Sequence, residues 1–202
     1  MILNGTEDLR VQKTMEAIHD AFSQLICKYN YEDITIKELC SLARINKKTF
    51  YHYYTCLDDL TAEMQSVMSL GYLKRIADYR IPEDLDKINR EFFLYSESQG
   101  LVYEKITCSH NYGSIRNTMI NDVMSSTWEK APAIMKLDEP HRNILLHFIE
   151  TASVEIYCQW VKDGKKIPLE EIIALSNELL CSGVDKFIHL STQKERFNPK
   201  SC

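Results

Sequence analysis

The sequence predicts an all-α fold of about nine helices, a small N-terminal helix-turn-helix unit followed by a larger helical bundle. Three observations carry this. Apolar residues recur every three or four positions along most of the chain. Glycine and proline number only 6 and 5 in 202 residues, too few for the turns of a β architecture. Residues 35–54 hold a capped short helix, a tight turn and a second short helix.

Val11, Met15, Ile18, Phe22 and Leu25 mark one face of a helix from about Asp8 to Tyr29. Thr35, with Glu38 three residues on, forms a capping box that satisfies orphan amides reciprocally. Ile36, Leu39, Cys40 and Ala43 give the buried face of a second helix. Arg44, Ile45 and Asn46 make the turn, and Asn46 is a good N-cap for a third helix, Lys47 to Tyr54. Asp58 and Asp59 complement the dipole of a fourth helix with Leu60, Met64 and Val67 on its face, running to about Tyr79. Pro82 suits the first turn of a fifth helix that Gly100 stops, and Leu101 to Ile106 add one or two turns.

Gly113 to Lys130 reads as a further amphipathic helix, ended near Pro132. Asp138 caps a long helix to about Asp163, with Gly164 at its stop and a stripe of Leu145, Phe148, Ala152, Ile156 and Trp160. Pro168 opens the last helix. Its apolar residues, among them Leu169, Ile172, Ile173, Leu179, Leu180, Val184, Phe187 and Ile188, make a stripe wider than one core-facing side needs. The expected division is residues 1–57 for the helix-turn-helix domain and 58–202 for a helical ligand-binding and dimerisation domain.

The net charge of -5 excludes a polycation, so any nucleic-acid contact must concentrate positive charge locally. Lys37, Arg44, Lys47 and Lys48 against Glu38 leave residues 36–57 at about +3 and the remainder at about -8. The seven cysteines are Cys27, Cys40, Cys56, Cys108, Cys158, Cys181 and Cys202. They show no CxxC spacing, so neither a metal site nor a disulfide framework is expected, and most read as reduced, buried, small hydrophobes. Met1 to Arg10 has no signal-peptide pattern, and no run of about 18 apolar residues exists. The expectation is a cytoplasmic protein with no membrane partner and no cofactor.

The second helix of a helix-turn-helix must show its N-terminal residues to the major groove. Lys47 and Lys48 can donate to guanine acceptors or neutralise phosphates. Thr49, Tyr51, His52 and Tyr53 add donors that reach phosphate oxygens. Phe50 and Tyr54 fall on the opposite face and anchor the helix. A solvated lysine pair or a packing aromatic run would explain each feature singly; the cap, turn, basic start and aromatic end together favour DNA.

The stretch Ile34-Thr35-Ile36-Lys37-Glu38-Leu39-Cys40-Ser41-Leu42-Ala43, then Arg44 to Tyr54, then Leu57-Asp58-Asp59-Leu60, resembles the DNA-binding domain of the TetR family, most specifically in Thr49-Phe50-Tyr51-His52-Tyr53-Tyr54. The resemblance spans roughly residues 8–65. It implies a homodimer whose third helices enter the major groove, with Thr35, Lys47, Lys48, Thr49, Tyr51, His52 and Tyr53 at DNA-contacting positions. Two departures stand out. Arg44 replaces the usual glycine of the turn, where it strains the backbone or adds a phosphate contact, and Leu57 replaces a phosphate-touching lysine. With Asn46 at the cap, these residues define the expected DNA interface.

The expected function is therefore a sequence-specific transcriptional regulator, a repressor, with operator DNA, a second copy of itself through the last two helices, and an unidentified small-molecule effector as partners. Phe92, Tyr95, Tyr103, Met119, Met124, Trp128 and Tyr157 are the candidate effector-pocket liners, plain core packing being the competing reading of each. A helical interaction protein with weakened DNA binding is the alternative, on the strength of Leu57. Catalysis is not expected. His147 and Glu150 reverse the order of a di-iron Glu-x-x-His and occur once, His110 lies near Cys108 without further ligands, and no phosphate loop or nucleophile elbow is present.

Overall fold

The computed structural model describes residues 8–109 and 112–194. Among them lie nine α-helices: α1 Leu9–Lys28, α2 Ile36–Leu42, α3 Lys47–Tyr53, α4 Leu57–Ile76, α5 Leu85–Cys108, α6 Gly113–Ser126, α7 Pro132–Met135, α8 Glu139–Lys162 and α9 Leu169–Lys194. Single 3-10 turns occur at Tyr31–Asp33 and Trp128–Lys130. No strand occurs among the described residues, so the fold is all-α as the periodicity requires. The chain divides into two compact units, residues 1–71 with 99–119, and residues 72–98 with 120–202. The first unit thus takes most of α4 and a later segment, where the sequence suggested a boundary at residue 57.

In the first unit α1 buries Met15, Ile18, Ala21, Phe22, Leu25 and Ile26, the face its 3-4 spacing predicts. Asp8 caps it, accepting from the Arg10 amide at 2.8 Å. The α2 cap is modified from the expected box. Thr35 Oγ1 accepts from the Glu38 amide at 3.2 Å, but the Glu38 carboxylate takes the Thr35 hydroxyl proton at 2.8 Å.

The α4 face differs from expectation. Leu60 is buried, but Met64 is half-buried and Val67 exposed, while Thr61, Glu63, Gln65 and Ser69 are buried. These polar groups are tolerated where they find partners. Thr61 Oγ1 donates to the Leu57 carbonyl at 2.9 Å, and Glu63 Oε1 lies 3.6 Å from His19 Nε2.

In the second unit the Ile81–Pro82 bond is cis and Pro82 sits in a turn, so α5 starts only at Leu85 and the proline is not in its first turn. Gly100 at φ 71 breaks the helical path as expected, and the two turns after it carry α5 to Cys108. The helix expected over Gly113 to Lys130 ends instead at Ser126; a 3-10 turn and the short α7 follow. Met124, Trp128, Ile134, Leu145, Leu180 and Val184 share one apolar core. The outward edge of the α8–α9 pair is therefore not Leu180 or Val184. It is Ile144, Phe148, Leu175 and Leu179 that remain exposed.

Of the described cysteines, all free, only Cys40 is buried; Cys27, Cys56, Cys108, Cys158 and Cys181 are half-buried, which corrects the expectation of mostly buried thiols. Cys202 and His110 lie outside the described residues. His147 sits on an exposed face, 3.8 Å from Glu150, and is not a core histidine. No group of three or more potential metal ligands occurs among the described residues. No helix there is long and apolar enough to cross a membrane.

Candidate nucleic-acid interface

The interface is assembled from α2, the turn and α3. The last turn of α2 closes with the Ile45 amide donating back to the Cys40 carbonyl at 3.0 Å, and the Ala43 amide to Leu39 at 2.8 Å. This wrapped C-cap needs a left-handed residue between them, and Arg44 supplies it at φ 54. A non-glycine residue pays for that conformation in steric strain between Cβ and the next carbonyl.

Asn46 begins α3. Its Oδ1 accepts from the Thr49 amide at 2.8 Å and from the Thr49 hydroxyl at 3.1 Å. The helix then divides cleanly by face. Phe50 is wholly buried and Tyr54 nearly so, their rings 5.6 Å apart. Lys47, Lys48, Tyr51 and His52 are exposed, with Thr49 and Tyr53 half-buried. The His52 and Tyr53 rings meet edge-on at 4.9 Å. Arg44, Asn46 and Thr35 are exposed as well. Turn and α3 together thus present cations, a phenol and an imidazole, while aromatic anchors hold the helix from behind.

Two of the expected contacts are constrained. The Thr35 hydroxyl proton is committed to Glu38, and that of Thr49 to Asn46, so both offer lone pairs rather than donors until these bonds are exchanged. Leu57, at the start of α4, brings no charge; the Asp59 carboxylate there accepts from the Thr55 amide at 2.9 Å and from its hydroxyl, which holds its pKa below the usual carboxylate value.

Behind α3 lies a polar node that periodicity could not reveal. The His19 imidazole on α1 meets the Tyr54 hydroxyl at 3.0 Å, with Glu63 of α4 beside it. Burial pushes the Tyr54 phenol up and the His19 pKa down, the latter opposed by Glu63.

The proposed effector-pocket residues do not form one group. Phe92, Tyr95 and Tyr157 join an aromatic cluster of the second unit with Tyr72, Phe93 and Trp160, the Phe92 and Tyr157 rings 5.8 Å apart. Met124 and Trp128 are in that unit's apolar core. Tyr103 and Met119 are buried in the first unit. The sequence reading missed Glu97, which accepts from the Tyr157 hydroxyl at 3.2 Å and pairs with Lys165 at 2.8 Å.

The family model for the TetR transcriptional regulator C-terminal region matches residues 83–181. That stretch lies outside the helix-turn-helix, so the match is independent of the motif. No curated protein matches the chain. Among solved structures, a TetR transcriptional regulator from Streptococcus agalactiae 2603V shares the fold with a TM-score of 0.63 and 18% identity, over 85% of this chain and 95% of that one. The dihydroxyacetone kinase operon activator DhaS aligns with a TM-score of 0.50 and 17% identity, over 86% of this chain and 97% of that one. Fold and family match together define a transcriptional regulator. The chain belongs to the TetR family.

Proposed function

We propose that this chain is a sequence-specific DNA-binding repressor that acts as a homodimer under the control of a small-molecule effector. The observation that carries the reading is the division of α3, with Lys47, Lys48, Tyr51 and His52 exposed and Phe50 and Tyr54 buried. Exposed cations at the start of a helix, on a local patch in an acidic chain, suit a phosphate-lined major groove. Dimerisation is supported by the apolar residues left uncovered on α8 and α9. A two-fold dimer presents two recognition helices to half-sites about 34 Å apart or a multiple of it. The effector's place is supported only by the aromatic cluster with its Glu97 and Lys165 pair.

The test is a mobility shift on DNA preceding the chain's own gene. Lys47→Ala/Lys48→Ala should weaken binding and lower the slope of log affinity against log salt by about one per lost phosphate contact. Unchanged affinity sinks the reading. DhaS is an activator by name, so the sign of regulation is read separately from a reporter: output that rises without the chain supports repression, output that falls supports activation instead.

A further inference from the structure

We infer that the first helix carries a second phosphate-binding strip, in which Arg10 and Lys13, with Arg44 of the turn, grip the sugar–phosphate strand of duplex DNA beside the helix-turn-helix. The inference rests on the DNA-binding reading above and extends it to residues outside the motif.

An open groove of ≈ 540 Å³ runs between the start of α1 and the α2–α3 turn. Arg10, Lys13 and Thr14 line it on the α1 side, and Ala43 and Ile45 on the turn side. Ala43 and Ile45 flank Arg44, and the next three residues are the α3 cap Asn46 with Lys47 and Lys48. The groove therefore opens directly beside the N-terminal end of the recognition helix.

Its charge is suited to an anion. Arg10, Lys13 and Arg44 are all exposed, and none forms a salt bridge with a carboxylate of the described residues. The acid in the lining, Asp8, already accepts from the Arg10 amide as the α1 cap. The Thr14 hydroxyl is turned onto the Arg10 carbonyl at 2.8 Å, so the polar wall is left to the two cations. On the opposite side Ala43 is small and lets a bulky backbone approach. Charges along one DNA strand repeat every 3.4 Å of helix rise, so a phosphate strand offers successive anions to cations spread along a groove. A base edge would require fixed donors and acceptors in register, which two flexible cations do not supply.

The strip therefore adds affinity without sequence preference, and that sets the experiment. Arg10→Gln/Lys13→Gln is compared with wild type by mobility shift on two duplexes, one from the DNA preceding the gene and one of random sequence. The expected variant has an unchanged melting temperature and a salt slope smaller by about two. Its affinity for both duplexes falls by the same factor, about thirtyfold at 0.15 M salt when two contacts are lost relative to 1 M. Ethylation of phosphates flanking the half-site should block wild-type binding and cease to matter in the variant. If Lys47→Ala/Lys48→Ala abolishes binding while Arg10→Gln/Lys13→Gln keeps the wild-type slope, the strip is refuted and the recognition helix stands. If the double variant loses affinity only for the specific duplex, the cations read sequence and the strip is again refuted. If wild type binds neither duplex, the DNA reading itself falls.

Discussion

The Tyr112 hydroxyl donates to the Tyr29 carbonyl at 2.9 Å, and Tyr29 is the residue that ends α1. A side chain just ahead of α6 thus supplies a cap that α1 lacks in its own sequence, satisfying one of the orphan carbonyls at the helix end. Tyr112 is fully buried, its ring edge-on to Tyr31 at 6.1 Å, and the Tyr31 hydroxyl donates to Asp58 at the start of α4. One residue therefore ties the end of α1 to the start of α4. Removing the hydroxyl in Tyr112→Phe should cost about 1 kcal/mol, a fall of about 2–4 °C in melting temperature for a chain of this size. Burial raises the phenol to about 12, so the effect should be constant across neutral pH. A melting temperature equal to wild type would show the bond to be idle.

Arg44 gives a prediction of the opposite sign. At φ 54 it bears the left-handed penalty that glycine escapes, so Arg44→Gly should stabilise the fold by about 1 kcal/mol. The same change removes a cation, and DNA binding should weaken while the melting temperature rises. Calorimetry and a mobility shift on one preparation check both arms. Loss of stability would mean that the arginine side chain holds the turn by contacts worth more than its strain.

His19 predicts a pH dependence. Burial is the main influence and holds its folded pKa below the model value of 6.5, against a weaker upward pull from Glu63. The unfolded chain then binds more protons than the folded one between the two values. Stability is complete above 6.5 and declines as pH drops below it, until the folded pKa is passed. Denaturant midpoints from about pH 7 to about pH 5 should fall less in His19→Gln than in wild type. Parallel curves for the two proteins would remove His19 from the account.

On α9 adjacent leucines should behave differently. Leu179 is 66% exposed and Leu180 1%. Leu179→Glu should leave the fold intact and split the dimer, which sedimentation reads directly. Leu180→Glu puts a charge into the apolar core shared with Leu145 and Ile149 and should unfold the second unit. A wild-type monomer at micromolar concentration with operator binding intact would overturn the dimer.

The helices that carry the candidate interface were the most legible part of the chain. Thr35, Asn46 and Asp138 each cap a helix as read, because a cap is set by a few neighbouring atoms. The inward turn of Phe50 and Tyr54 followed from the face they share on α3. In contrast, α4 was misread at Met64 and Val67. Periodicity counts apolar residues, whereas Thr61 and Glu63 are buried because distant groups, the Tyr31 hydroxyl at 3.4 Å and His19, complete their hydrogen bonds or charge. The same blindness hid Arg10 and Lys13, which border the turn only through the packing of α1 on α2. The candidate effector residues failed as a group because burial alone does not say which core a side chain joins.

The recognition helix α3 is seven residues long, and so is α2. Isolated helices that short do not persist in water, because nucleation costs more than two turns of backbone bonding return. Their order is borrowed from the anchors Phe50, Tyr54 and Leu39 beneath them. Amide exchange in α3 should consequently follow the opening of the unit as a whole and not fraying of its own ends. The reading head and its foundation would melt as one cooperative block, so whatever loosens α1 or α4 also dissolves the surface offered to DNA.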